Sequence, residues 1–221
     1  MVKTVILVSG GGSNLQAIIA GKLFGEIQNC EIVAVISSNP DAYALERART
    51  AGIPTSVVDF KTFPTRRTFN TALMQKLKDL DAEFVVLAGF MQVLQRPIVK
   101  EFENRIINVH PSLIPSFCGA GYYGLRVHQT ALEYGVRVSG ATVHFVTEEI
   151  DHGPIILQKA VEVKSGDTAK TLQRRIMEEA EWLILPQAMD LYCRGKLKID
   201  GRRVTIMEDD KEEDTSDADE T

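Results

Sequence analysis

A chain of 221 residues, 44% hydrophobic and 25% charged, is long enough to bury one substantial core and too short for two domains of ordinary size. Its formal charge of -5 is concentrated at one end: residues 208–221 hold nine acids and one lysine, which leaves residues 1–207 at about +3. That mild surplus suits a small phosphorylated or carboxylated ligand, and no Lys/Arg-dense stripe is present to track a nucleic acid.

Met1 to Val8 is hydrophobic but runs straight into Ser9-Gly10-Gly11-Gly12 without a cleavage pattern, so it is expected to be a buried first strand and not a signal segment. Apolar β-branched runs at 3–8, 31–37, 55–59, 84–88 and 106–109 alternate with helix-period segments at 13–21, 41–51, 65–80 and 97–102. This is the pattern of βαβ units, and it predicts an α/β fold with a doubly wound, mostly parallel sheet. Pro97 fits a first helical turn, where its missing donor costs nothing. Two longer strands, 139–147 and 154–163, are joined by a short polar turn and predict a partly antiparallel C-terminal extension. A long C-terminal helix from 168 to about 194 follows, with Leu172, Ile176, Ala180, Leu183 and Ile184 on its core face and Gly195 as its stop. Residues 1–207 are expected to form a single domain and 208–221 a disordered acidic tail. Cys30, Cys118 and Cys193 lack any C-x-x-C spacing, so neither disulfides nor zinc is expected and a reducing cytoplasm is the natural compartment. No apolar run approaches the roughly 20 residues that span a bilayer, so no membrane association is expected.

Ser9-Gly10-Gly11-Gly12-Ser13-Asn14 follows the first strand and opens a helix, where backbone N–H groups and the helix dipole can hold an anion. An ordinary Gly-rich βα loop is the bland alternative. A dinucleotide does not fit: Leu15 stands where G-x-G-x-x-G needs its third glycine, and the second strand ends in Ser37-Ser38-Asn39 with no acid for a ribose. No Walker A lysine follows, so a phosphate monoester is the better ligand.

Asn108-Val109-His110-Pro111 ends a strand, and the period of two puts Asn108 and His110 on one side at the carboxyl edge of the sheet. An amide and an imidazole there can polarise a carbonyl and move a proton. Asp151, in Asp151-His152-Gly153-Pro154, is expected to reach the same edge and to raise the His110 pKa by favouring imidazolium. Packing for His110 and ordinary turn vocabulary for Asp151 remain the alternatives. His110, His128, His144, His152 and Asp151 show no metal-ligand spacing, so no metal is expected.

Taken together, Ser9 to Gln16, Leu87-Ala88-Gly89-Phe90-Met91, Asn108 to Pro115 and Val143-His144-Phe145-Val146 through Asp151 to Ile156 closely resemble the folate-dependent phosphoribosylglycinamide formyltransferases of purine synthesis. The likeness runs from about residue 3 to 194. It implies that a formyl group passes from 10-formyltetrahydrofolate, as co-substrate, to the amine of 5-phosphoribosylglycinamide. It implies that Asn108 and His110 stabilise the oxyanion and that Asp151 keeps His110 charged and assists proton transfer. Gly12, Ser13 and Asn14 would cradle the ribonucleotide phosphate, with Glu181 facing the ribose or the amine. On residue type alone, Glu181 would pass for a solvated helix position. Arg66, Met91, Gln92, Val93, Leu94 and Asn108 would form the folate side, although Met91, Val93 and Leu94 also suit plain core packing.

Two positions depart from the pattern: Gln92 stands where many relatives have Arg, and Ala120 replaces a common Lys within the glycine-rich 117–124 loop. That loop is expected to be mobile and to close over substrate. Water in place of the amine would give a 10-formyltetrahydrofolate hydrolase, a reading disfavoured by Pro111 after His110 and by a chain starting at the first strand. Transfer to methionyl-tRNA is disfavoured by the acidic C-terminus, and a non-catalytic nucleotide-binding module by the intact Asn108, His110 and Asp151. A monomer or homodimer is compatible with the sequence.

Overall fold

The computed structural model of the protein describes residues 1–208. The expected acidic tail therefore lies, from residue 209 onward, outside the described residues. A seven-stranded sheet has the order β3-β2-β1-β4-β5-β6-β7. Its strands are β1 (Val2–Val8), β2 (Cys30–Ser37), β3 (Thr55–Val57), β4 (Phe84–Leu87), β5 (Ile106–His110), β6 (Val138–Phe145) and β7 (Ile155–Glu162). The first five pair in parallel, and β6 and β7 are antiparallel. The expected parallel core with an antiparallel extension is what forms.

Helices cover both faces because the strands between them are apolar on both. Ile6, Val8, Val35, Phe84, Val86, Ile107 and Val109 pack on one side against α1 (Ser13–Leu23), α2 (Tyr43–Thr50), α6 (Ala169–Ile176) and α7 (Trp182–Cys193). Val5, Leu7, Ile36, Val85, Leu87 and Ile106 pack on the other against α3 (Arg66–Asp79) and α4 (Arg96–Glu101). Each such buried aliphatic side chain contributes about 1.5–3 kcal/mol. The helix starts follow local chemistry: Thr65 and Thr168 cap α3 and α6, each in a reciprocal capping box with the threonine three residues on.

Several features depart from the sequence expectations. The C-terminal helix is not uniform, since a π-helical turn, Met177–Glu181, separates α6 from α7. Its wider turn advances the inward face by about one residue, so Glu181, Ile184 and Leu185 point inward while Leu183, expected in the core, is 53% exposed. A helix α5 (Leu125–Tyr134) forms between Gly124 and Gly135, where no element was expected. The basic segment after Gly195 forms a separate hairpin, β8 (Leu197–Asp200) with β9 (Arg203–Ile206).

The connection between β6 and β7 is longer than a short turn and folds back over the sheet. Gly153 anchors it: a Cβ there would sit 1.7 Å from the Phe145 carbonyl oxygen, closer than any backbone can tolerate. Gly153→Ala is therefore expected to lower stability by roughly 1–3 kcal/mol, the cost of overpacking, in chemical denaturation. An unchanged midpoint would mean that the loop is not seated against Phe145.

Candidate active site

Parallel order places the ends of β1, β4 and β5 side by side, so the turns that follow them leave from one edge of the sheet. The turn after β1 becomes α1. Gly12 is its N-cap at φ 74°, and a Cβ there would lie 2.7 Å from Ala44 Cβ, so conformation and close packing on α2 both demand glycine. The first-turn N–H groups of a helix have no intrahelical acceptor, and here they belong to Ser13, Asn14 and their neighbours. Asn14 is buried; its Nδ2 donates to Glu181 Oε2 at 2.7 Å, while its Oδ1 has no hydrogen-bond partner among the described residues. A buried amide oxygen left in that state costs about 1–3 kcal/mol unless a donor is supplied. Glu181 is not a solvated helix residue: it is 6% exposed, and burial pushes its carboxyl up to about 7 although the Asn14 bond opposes this.

The turn after β4 carries the positions expected on the folate side. Met91 and Val93 are exposed and do not pack in the core, Gln92 is half-buried, and Leu94 is buried beneath α3 and α4. Arg66 is exposed at the start of α3. A residue that the sequence did not single out, Asn70, joins these pieces: its Nδ2 donates to the Arg66 carbonyl at 2.9 Å and to the Val93 carbonyl at 3.4 Å, and its Oδ1 accepts from Gln95 N–H at 2.8 Å.

On β5, register with β6 sets Asn108 opposite His144 and His110 opposite Thr142. Asn108 Nδ2 lies 3.4 Å from His144 Nε2. The folded-back loop brings Asp151 between the rings, with Oδ2 3.5 Å from His110 Nδ1 and Oδ1 3.6 Å from His144 Nε2. Gly119 N–H donates to Asp151 Oδ2 at 2.9 Å, and His110 Nε2 meets the Phe117 carbonyl at 2.9 Å. A carbonyl only accepts, so Nε2 carries a proton. The expected Asn108–His110–Asp151 set is thus assembled, with His144 as a fourth member that sequence reasoning had weighed only as a metal ligand. Among the described residues no group of three or more His, Cys, Asp or Glu is arranged to hold a metal.

The electrostatics correct one expectation. Burial pulls His110 below its ordinary 6.5; Asp151 and the Phe117 carbonyl push it back up without overcoming that burial, and His144 adds to the fall. The net direction for His110 is therefore downward, where Asp151 alone had been expected to raise it. Burial would raise Asp151, but the nearby His144 and His110 rings and the Gly119 amide hold it below the usual carboxylate value. His128 on α5 stays neutral beside them, driven down to about 4 by burial and by His110. Cys118 has its thiol raised by burial and by Asp151, the opposite of an activated nucleophile.

A glycine turn at a helix N-terminus, on the same sheet edge as a half-buried amide, a buried imidazole and a half-buried carboxylate, makes an α/β site able to polarise a carbonyl. A family model described as Formyl transferase matches residues 2–189, and the chain belongs to that family. Phosphoribosylglycinamide formyltransferase of Escherichia coli (strain K12) is 39% identical over 207 residues, covering 90% of this chain and 94% of that one. The trifunctional purine biosynthetic protein adenosine-3 of Gallus gallus is 44% identical over 198 residues, which cover 90% of this chain but 19% of that protein. Glycinamide ribonucleotide transformylase 1 from Symbiobacterium toebii superposes with a TM-score of 0.88 at 46% identity, covering 94% of this chain and 95% of that one. Among the described residues no helix is long and apolar enough to cross a membrane.

Two titrations test these environments. Replacing Asp151 by Asn removes the charge that lifts His110, so the ring should titrate at lower pH than in the wild type by NMR; an unchanged midpoint would show that Asp151 does not act on it. Glu181 ionises in the unfolded chain near 4.5 but in the folded chain near 7. Its effect is absent below 4.5, and stability is lost as pH rises between those values. Glu181→Gln should thus leave the melting temperature unchanged near about pH 4 and raise it near about pH 8, where it adds stability on the order of 3 kcal/mol or less. Equal melting at both pH values for variant and wild type would show the carboxyl to be hydrated.

Proposed function

We propose that the chain transfers the formyl group of 10-formyltetrahydrofolate to the primary amine of 5-phosphoribosylglycinamide in purine synthesis. The observation that carries this reading is the juxtaposition, along adjoining strand ends, of the Asn108–His110–His144–Asp151 cluster with the glycine turn and Glu181. The phosphate lies on the N–H groups of Gly12, Ser13 and Asn14, at the positive end of α1. Glu181 and the free Asn14 oxygen accept from the ribose hydroxyls or the amine. The pterin lies along Met91, Gln92, Val93 and Leu94, with Arg66 on the same side. Family membership, and the length shared with the Escherichia coli relative, support this choice of substrates.

The amine lone pair attacks the formyl carbon and the carbonyl π pair moves onto oxygen. Asn108 Nδ2–H and the His110 ring stabilise that oxyanion. As its charge grows, the imidazole becomes the better place for a proton, and Asp151 offsets the positive charge that results. Asp151, directly or through water, then takes a proton from the attacking nitrogen and passes it to His110. Collapse of the tetrahedral adduct breaks the bond to the folate nitrogen, which leaves protonated by His110. No covalent enzyme intermediate is needed.

His110→Ala and Asp151→Asn are each expected to cut turnover by about 10²–10⁴-fold with the fold intact by circular dichroism; near-normal turnover in either would move the chemistry elsewhere. Purified protein given 10-formyltetrahydrofolate should release tetrahydrofolate only when the ribonucleotide is present. Equal release without it would make water the nucleophile and the protein a hydrolase, and no release in either case would leave a nucleotide-binding module.

A further inference from the structure

The carbonyl groups of Gly10, Gly11 and Gly12 each accept a hydrogen bond. Gly10 O accepts from Ala44 N–H at 3.0 Å, Gly12 O from Gln16 N–H at 2.9 Å, and Gly11 O from the side chain of Arg47 through Nε at 2.9 Å. Arg47 Nη1 also donates to Gln16 Oε1 at 3.0 Å, so one guanidinium spans the turn and the first turn of α1. Its central carbon lies 5.0 Å from the Tyr43 ring centroid, which holds the fork in one orientation. The neighbouring Glu46 and Arg49 pair with each other at 3.4 Å and leave Arg47 to the turn.

A trans peptide fixes the N–H of one residue opposite the carbonyl of the residue before it. Drawing Gly11 O toward α2 therefore aims the Gly12 N–H away from α2, while the Gln16 bond to Gly12 O aims the Ser13 N–H out of the N-terminus of α1. Glycine has no Cβ to limit its backbone, so without such ties the turn would sample many directions. Two directed bonds from a planar cation are suited to hold it where a single ammonium is not.

We propose that Arg47 is a positioning residue for the anion site: it holds the Gly11 carbonyl and thereby aims the turn's N–H groups at the substrate phosphate without touching that phosphate. This rests on the reading of the turn as the ribonucleotide phosphate site. Inorganic phosphate, competing with the ribonucleotide, is the probe that separates the two claims. In Arg47→Met the KM for the ribonucleotide and the inhibition constant for inorganic phosphate should both rise roughly tenfold, the loss of one charged hydrogen bond. The kcat at saturation and the KM for the folate should stay within about twofold. Arg47→Lys keeps the stem and charge, folds even where Met does not, and should show a smaller rise in the same two constants. A wild-type KM and inhibition constant in Arg47→Lys, or a loss confined to kcat or to melting temperature, would overturn the positioning role. A wild-type protein whose ribonucleotide kinetics do not respond to phosphate would instead overturn the phosphate-site reading beneath it.

Discussion

The antiparallel pairing of β6 on β5 is the constraint on which the site rests. Directly paired residues share a face, so register alone brings Asn108 to His144 and leaves His110 beside Thr142. Thr142 Oγ1 in turn donates to the Ser112 carbonyl at 2.7 Å and accepts from Ile114 N–H at 3.1 Å, which fixes the chain leaving His110. A parallel neighbour would have required a crossover segment, usually a helix packed on the sheet. The antiparallel one returns through residues 146–154, and that loop delivers Asp151 to both imidazoles. The β6–β7 ladder slips register between Val143 and His144, at the residue that meets Asn108, and such irregularities recur beside active sites.

Polar groups collected at this edge oppose folding unless they satisfy one another. His110, His144, Asn14 and Glu181 are all under 9% exposed. Their satisfaction is uneven. Asp151 has the Gly119 amide and two rings and stays ionised, whereas Glu181 has one amide and is held near neutrality. The two carboxyls are thus driven in opposite directions, one toward a fixed negative charge and one toward a proton held close to pH 7. Such a separation is the arrangement that proton-transfer sites use. The apolar packing on both sheet faces supplies the stability against which these costs are set.

The parallel half of the fold could be read from sequence because each strand is a short apolar run followed by a segment of helical period, and the Thr65 and Thr168 caps mark starts that composition alone would blur. Asn108 and His110 were visible for a related reason: a period of two and a proline fix their side and their edge. Glu181 could not be placed that way. Its inward direction depends on one π turn, which no local propensity signals, and the same turn expels Leu183. His144 looked like any strand histidine, since its partner lies 36 residues away across a register that the sequence does not state. The sign of the His110 shift was missed because a nearby carboxylate is evident in sequence, while the depth of burial that outweighs it is not.

Positive charge is scarce where two anionic or polar substrates are proposed to bind. Gln92 and Ala120 are neutral, and Ala120 is exposed on its loop, so neither could draw a phosphate or a folate carboxylate. The backbone can substitute for part of that charge. Oriented N–H groups at a helix N-terminus act as a fixed partial positive charge that loses no side-chain entropy on binding. The two subsites also share a frame: Ser9 Oγ accepts from Met91 N–H at 2.9 Å and pairs with Ser38 Oγ at 2.7 Å, tying the start of the glycine turn to the wall after β4. A site built on tied backbone tolerates loss of a peripheral cation better than one built on flexible side chains. On that argument neutral side chains at Gln92 and Ala120 supply no attraction at a distance, while the backbone geometry at Gly12 does not depend on them.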